Sequence, residues 1–317
     1  MPARASFREG DMAVDHLISI HDLHASEVER LLDLATSLKS DPRRYRTALE
    51  GQSLAMIFQK SSTRTRVSFE VGMWQLGGSA LFLSSRDIQL GRGEPISDTA
   101  RVLSRYVDGI MARTYLHQDV LDLAGYASVP VINGLTDDLH PCQALADYFT
   151  LREIFGELWG RKIAYVGDGN NMAHSLMLGA PKVGMSIAVA SPGKYQVQDR
   201  YLELARRDAS AAGTEVLVTD DPAEAVADAS AVYTDVWASM GQEEEAAARE
   251  TAFAGFTVDE SLMAHALPEA VFLHCLPAHR GEEVSAAVAD GPQSRIYDEA
   301  ENRLHVQKAI MVQLMGG

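Results

Sequence analysis

Ser53-Leu54-Ala55-Met56-Ile57-Phe58, followed at once by Lys60-Ser61-Ser62-Thr63-Arg64-Thr65-Arg66, decides the fold. An apolar, strand-like run gives way to hydroxyls and two guanidiniums at the start of a helical stretch. A helix N-terminus leaves backbone N–H groups unpaired and carries partial positive charge, so it accepts anions. Arginine adds a planar fork that holds a phosphate through two hydrogen bonds. Ser62 fits as the cap, with Thr65 in the first turn. The whole chain carries a formal charge of −16, so this cationic spot points to one small anion rather than a polyanion.

Outward from that stretch, short β-rich runs alternate with helical patterns. Strands are expected at residues 54–58, 80–83, 109–113 and 129–133, then at 162–166, 186–190, 215–219, 231–234 and 271–275. Amphipathic stretches lie at 66–76, 143–155, 173–183 and 199–212, and a last helix is expected at 300–314. In the first of these, Val67, Val71 and Trp74 share one helix face. The alternation predicts an α/β protein with parallel sheets covered by helices on both sides. The length of 317 residues favours two domains, with residues 156–161 as a seam.

Composition narrows the function. The acidic balance argues against non-specific nucleic-acid binding and against anionic membrane surfaces. No apolar run approaches bilayer length, and residues 1–15 lack the apolar segment of a secretory signal, so a cytoplasmic setting is expected. Two cysteines far apart, Cys142 and Cys275, do not make a disulfide scaffold. No Cys/His spacing suggests a structural zinc, and neither metal nor cofactor is expected.

Four further stretches sit where strands end. His140-Pro141-Cys142-Gln143 opens a helix, with proline suited to its first turn. Gly167-Asp168-Gly169-Asn170-Asn171 invites a dinucleotide reading, but Met172 stands where G-x-G-x-x-G needs its third glycine. An asparagine there either adopts a left-handed turn or holds a carboxylate with its amide. Asp235-Val236-Trp237-Ala238-Ser239-Met240-Gly241 offers a carboxylate and a hydroxyl to an ammonium group, or a simple cap. His274-Cys275-Leu276-Pro277 closes the last strand; its thiol is either buried packing or polarised, and His274 should point away from Cys275. Residues 242–250 read as a solvated loop or helix face.

Together these motifs resemble the aspartate/ornithine carbamoyltransferase family, over about residues 17–314. Each motif alone is modest; the ordered set is specific. Cys142 in the third place of His140-Pro141-Cys142-Gln143 favours the ornithine branch, as do the segments 235–241 and 274–277, and Glu301-Asn302-Arg303 also matches. The resemblance implies two doubly wound domains, 1–150 for carbamoyl phosphate with 300–317 packing back on it, and 151–299 for the amino acid. It implies a cytoplasmic homotrimer of arginine biosynthesis, with the site in the interdomain cleft and shared between subunits. The reaction implied is carbamoyl transfer from carbamoyl phosphate to the δ-amine of L-ornithine, giving citrulline and phosphate.

Residue by residue, the resemblance assigns Ser62, Thr63, Arg64 and Thr65 to the phosphate, and Arg113, His140 and Gln143 to the carbamoyl group. Gln89, from a neighbouring subunit, and Arg303 complete that end. Asn171, Asp235, Ser239 and Met240 line the amino-acid end of ornithine, with Cys275 and Leu276 beside the δ-amine. Arg113, His140 and Cys275 are the catalytic candidates. Rival readings are a sister transferase for putrescine or an N-acylated ornithine, a silent binding protein of the same fold, and a dehydrogenase that lacks its glycine fingerprint.

Overall fold

The computed structural model describes residues 16–86, 93–238 and 246–316. Their contacts divide the chain into two units: one runs to Leu145 and resumes at Arg303, the other is Ala146–Asn302.

In the first unit α1 (Ala25–Ser40) precedes β1 (Ser53–Phe58), α2 (Thr63–Gln75), β2 (Ser79–Ser84) and α3 (Ile96–Leu103). β3 (Gly109–Arg113), α4 (His117–Tyr126), β4 (Val131–Leu135) and the start of α5 (Pro141–Phe155) follow. The sheet order is β2-β1-β3-β4 and every pair is parallel. Leu54 to Ile57 and Ile110 to Ala112 are fully buried, because helices cover both faces of the central strands and leave no solvent side for polar residues. β4 begins two residues later than expected, since Pro130 has no N–H to give the ladder and joins it only through its carbonyl, which accepts from Ile110. α1 is fixed by a capping box, in which the His24 N–H donates to Glu27 Oε2 at 2.7 Å, and by the buried stripe Val28, Leu31, Leu32, Ala35 and Leu38.

The second unit continues with β5 (Lys162–Val166), α6 (Asn171–Gly179), β6 (Ser186–Ala190), α7 (Asp199–Ala212), β7 (Val216–Thr219), α8 (Pro222–Val226) and β8 (Ala231–Tyr233). α9 (Ala246–Ala252), α10 (Glu260–Met263), β9 (Val271–Leu273) and α11 (Ala286–Ala289) follow. Its parallel sheet has the order β7-β6-β5-β8-β9. The end of the helical stretch expected at 173–183 is a separate 3-10 turn, Ala180–Val183, where Pro181 removes a donor. β8 and β9 stop short of Thr234 and His274; the Thr234 N–H still donates to the Leu273 carbonyl at 3.3 Å, whereas the His274 N–H leaves the ladder.

α12 (Ile296–Met315) ends the described chain. From Arg303 onward it packs with the first unit: Lys308 Nζ donates to Gln75 Oε1 at 2.9 Å, and the Met315 carbonyl accepts from Gln52 Nε2 at 2.9 Å. Gly72 lets α2 lie close here, since a Cβ on it would stand 2.9 Å from Met311 Cε.

One expectation fails within α2. Its buried face is Thr65, Phe69, Gly72 and Met73, whereas Val67 is 49% and Trp74 77% exposed. The face of Val67 and Trp74 turns outward, and a second apolar pair, Phe69 and Met73, takes the inner one.

Both sheets reverse their winding beside a central strand, β1 against β3 in one and β5 against β8 in the other. Open α/β sheets bind ligands outside the carboxyl ends of strands at such switch points. Phe58 and Arg113 end the first pair, Val166 and Tyr233 the second, so topology alone selects the loops that carry the motifs.

Candidate active site

Two clusters form, one in each unit. In the first, Ser62 caps α2 in an extended conformation, and its Oγ accepts the Thr65 N–H at 3.2 Å. The same Oγ lies 3.1 Å from Thr65 Oγ1, which also accepts from Arg303 Nη2 at 2.8 Å. The cap thereby joins a loop after β1 to a residue some 240 positions later (238 by number) on α12. Arg113, at the end of β3, is buried, as are His140 and Gln143 at the start of α5. Burial, and then the charges of Arg303, Arg113 and Arg64, hold the His140 pKa well below the usual histidine value. The imidazole is therefore neutral at physiological pH and can donate a hydrogen bond from its one N–H. Three guanidiniums, a helix N-terminus, a neutral imidazole and a buried amide can together donate to a small anion bearing a carbonyl.

The other cations of the opening stretch have different duties. Buried Lys60 pairs with Asp137 and lies 4.7 Å over the Tyr115 ring. Arg66 bonds Glu70 at 3.0 Å and stacks on Phe82 at 3.8 Å, on the outer side of α2. Of the two arginines in the Thr-Arg repeat, then, Arg64 faces the cluster and Arg66 does not.

In the second unit Asn170 caps α6, its Oδ1 accepting from Met172 N at 2.8 Å and Ala173 N at 3.3 Å. Its Nδ2 donates to Asp235 Oδ2 at 2.9 Å, and Asp235 Oδ1 accepts from the Cys275 thiol at 3.1 Å and from Val236 N at 2.8 Å. Asn171 opens α6 beside this group and is buried. Burial, then Asp235 and Glu299, push the Cys275 thiol well above its ordinary pKa. It stays protonated, which suits a hydrogen-bond donor and rules against a thiolate nucleophile. Asp235, His274 and Cys275 bring ligand-type atoms within 4.8 Å of one another. The hydrogen bonds of this network engage those groups with each other and with Glu283.

His274 does not point opposite to Cys275 as strand alternation predicts: a ring nitrogen lies within 4.8 Å of the thiol, because both residues stand beyond the end of β9. The His274 Nε2 lies 3.1 Å from Glu283 Oε1, and its Nδ1 accepts the Leu276 N–H at 2.9 Å. The second contact makes Nδ1 the acceptor, which leaves Nε2 to donate to Glu283. Leu276 is held at φ +60, a conformation a leucine keeps only when its surroundings fix it. The sequence marked His274 only as a neighbour of Cys275, and Glu283 carried no signal.

The glycines of Gly167-Asp168-Gly169 have a packing role in place of a dinucleotide one. A Cβ on Gly169 would stand 2.3 Å from Val197 N, so the turn presses directly on residues 195–197. The reading of 242–250 as solvated fails at Arg249. That side chain is buried, donates to Asp168 Oδ2 and the Trp237 carbonyl at 2.7 Å each, and lies 4.7 Å over Tyr195. A buried arginine needs such partners, but an acidic, alanine-rich surrounding sequence hides it. Gln89, Ser239 and Met240 lie outside the described residues.

A family model described as "Aspartate/ornithine carbamoyltransferase, carbamoyl-P binding domain" matches residues 15–153, and its "Asp/Orn binding domain" counterpart matches 159–314. The ornithine carbamoyltransferase of Anoxybacillus flavithermus is 59% identical over 301 residues, covering 94% of this chain and 96% of that protein. That of Bacillus subtilis is 56% identical over 295 residues, 93% of this chain and 92% of its own. The solved ornithine carbamoyltransferase of Pyrococcus furiosus superposes with a TM-score of 0.94 at 53% identity, covering 98% of this chain and 99% of that one.

Proposed function

We infer the chemistry from this premise: the chain belongs to the aspartate/ornithine carbamoyltransferase family. It is an ornithine carbamoyltransferase in activity, transferring the carbamoyl group of carbamoyl phosphate to the δ-amine of L-ornithine, with L-citrulline and phosphate as products. The observation that carries the assignment of residues is the cationic cluster around a neutral His140.

In our reading Ser62, Thr63, Arg64 and Thr65 cradle the phosphate through hydroxyls and the α2 N-terminus, with Arg303 bracing Thr65. Arg113 and the His140 N–H donate to the carbamoyl oxygen, and Gln143 orients the carbamoyl amide. Asp235 holds the α-ammonium of ornithine, Asn171 its carboxylate, and Cys275 and Leu276 orient the δ-nitrogen. That nitrogen, with a free pKa of roughly 10.4 by analogy to lysine, must shed a proton before it attacks; burial favours the neutral form. Its lone pair forms the C–N bond, the carbonyl oxygen gains charge, and collapse breaks the C–O bond to phosphate. The departing phosphate takes the electron pair and serves as acceptor for the second amine proton. Donors fixed around the developing charge lower the barrier without reorganising.

We further propose a cytoplasmic homotrimer serving arginine biosynthesis. Among the described residues no helix is long and apolar enough to cross a membrane. The subunit contact is read from the outward face of α2 and the edge of β2, where Val67, Trp74, Leu81 and Phe82 form an exposed apolar strip. Sedimentation of Trp74→Glu should show a trimer dissociating at concentrations where the parent stays assembled. An unaltered trimer would remove this face from the interface.

Substrate choice is tested by measuring carbamoylated product from ornithine, putrescine and N-acetylornithine in parallel. Ornithine should be preferred strongly; a preference for putrescine would overturn the amino-acid roles given to Asn171 and Asp235.

A further inference from the structure

Arg249 on α9 is a cation the reaction leaves unused, yet its side chain is buried and bonded to two loops of the second unit at once. Its Nη1 donates to Asp168 Oδ2, in the loop after β5, and to the Trp237 carbonyl, in the loop after β8, at 2.7 Å each. Those strands are the neighbours at which the second sheet reverses its winding. We propose that Arg249 is a positioning residue for ornithine: it clamps the two loops to each other and thereby holds the Asp235 carboxylate in place.

The clamp closes a circuit around Asp235. Asn170, just beyond Asp168, donates from Nδ2 to Asp235 Oδ2 at 2.9 Å, and Asp235 stands just before Trp237. The loops are thus joined by the amide of Asn170 and again by the guanidinium of Arg249. On the β5 side the turn is fixed from several directions. The Asp168 carbonyl accepts from Asn170 N at 2.7 Å and from the Tyr165 hydroxyl at 2.8 Å, and Gly169 N donates to the Tyr195 carbonyl at 2.8 Å. The β8 side leans on the clamp. There Val236 N donates at 2.8 Å to the Asp235 carboxylate itself, a bond that fixes nothing outside the loop.

The arginine is itself held. Its guanidinium lies 4.7 Å over the Tyr195 ring, and Tyr195 and Trp237 pack on Phe253 at 5.0 and 5.4 Å between ring centres. Stability alone does not explain a charge in this place, since replacing a buried ion pair by well-packed apolar residues is often neutral or stabilising. An apolar filling would not hold a carboxylate of one loop and a carbonyl of another at defined points. A planar guanidinium, whose donors leave it in fixed directions, does. Reacting groups tolerate little error: a misplacement of about 1 Å caused by a remote change can cost about 10²-fold in rate. The positioning role rests on placing the ornithine ammonium at Asp235, as above; the clamp does not.

Hydrogen–deuterium exchange of the full chain, read by mass spectrometry, tests the clamp. The amides of Met172, Ala173 and Val236 donate to the side chains of Asn170 and Asp235. In Arg249→Met they should exchange about tenfold faster, with β6 unchanged. Unaltered exchange at these amides overturns the clamp. Steady-state kinetics test positioning. Arg249→Met should lower kcat/KM for ornithine by about tenfold or more with the carbamoyl-phosphate KM unchanged. Arg249→Lys should stay within about threefold of the parent, because an ammonium with three donors can serve both acceptors. Equal losses in the two variants, or a matching rise in the carbamoyl-phosphate KM, overturn the positioning role. Faster exchange with no loss toward ornithine overturns it too. Arg249→Met strands the Asp168 charge in the interior, which can prevent folding. In that event the double substitution Asp168→Asn with Arg249→Met removes the stranded charge along with the clamp and is held to the same outcomes. A parent that does not carbamoylate ornithine would defeat the functional reading, and the exchange result would still decide the clamp.

Discussion

Arg64→Ala is expected to lower kcat/KM for carbamoyl phosphate by about 10²–10³-fold, the range for losing one fixed donor to developing charge. Arg64 lies in the first turn of α2 and is half-buried, outside the apolar core, so thermal stability should change little. The variant has a second readout. Arg64 is one of the three arginines that depress the His140 pKa, after Arg303 and Arg113. Removing its charge should move the His140 titration upward toward the ordinary histidine range, visible by NMR of the imidazole. The sign has a stability consequence. A histidine kept neutral by folding is protonated more readily in the unfolded chain, so the folded state loses stability as pH falls below the ordinary histidine pKa. Arg64→Ala should weaken that acid dependence. Unchanged carbamoyl-phosphate kinetics together with an unmoved His140 would remove Arg64 from the cluster.

Asp235→Asn is expected to cost roughly 10- to 100-fold in kcat/KM for ornithine, the worth of a charge-assisted hydrogen bond to an ammonium. Carbamoyl-phosphate binding should be unaffected, because among the described residues Asp235 bonds within its own unit, to Asn170, Val236 and Cys275. The isosteric amide removes the charge and keeps one acceptor oxygen, but its NH2 cannot accept, so one of these contacts is lost with it. Asp235 is also the leading charge, after burial, that raises the Cys275 thiol, so thiol modification at alkaline pH should become faster in the variant. Ornithine kinetics equal to the parent would place the ammonium elsewhere.

How legible this was depends on the reach of each interaction. β1 and the start of α2 could be read because a buried parallel strand and a serine cap are local signals. Strands 162–166 and 186–190 coincide with β5 and β6 for the same reason. Loops carrying Arg113, His140 and Asp235 announced themselves by standing where strands end. Long-range pairings left no such mark. Nothing near Glu283 points to His274, nothing near Arg249 points to Asp168, and Glu299 looks like an ordinary helix residue until the His274 N–H meets it. Arg66 misled because the sequence repeats Thr-Arg while the helix turns by about 100° per residue, which sends the second arginine to the outside. Val67 and Trp74 misled because an apolar stripe says only that a face is covered, not by what.

Arg303 bears on how the protein is made. The residue that braces Thr65 lies on the last described helix, whereas the loop it braces is translated early. Domains tend to form as the ribosome delivers them, N-terminal first. This one must wait, its sheet synthesised but one wall of its pocket still unwritten. A nascent chain therefore cannot form the Arg303–Thr65 contact, and with it the phosphate cradle proposed above, before its codon for Arg303 has been read.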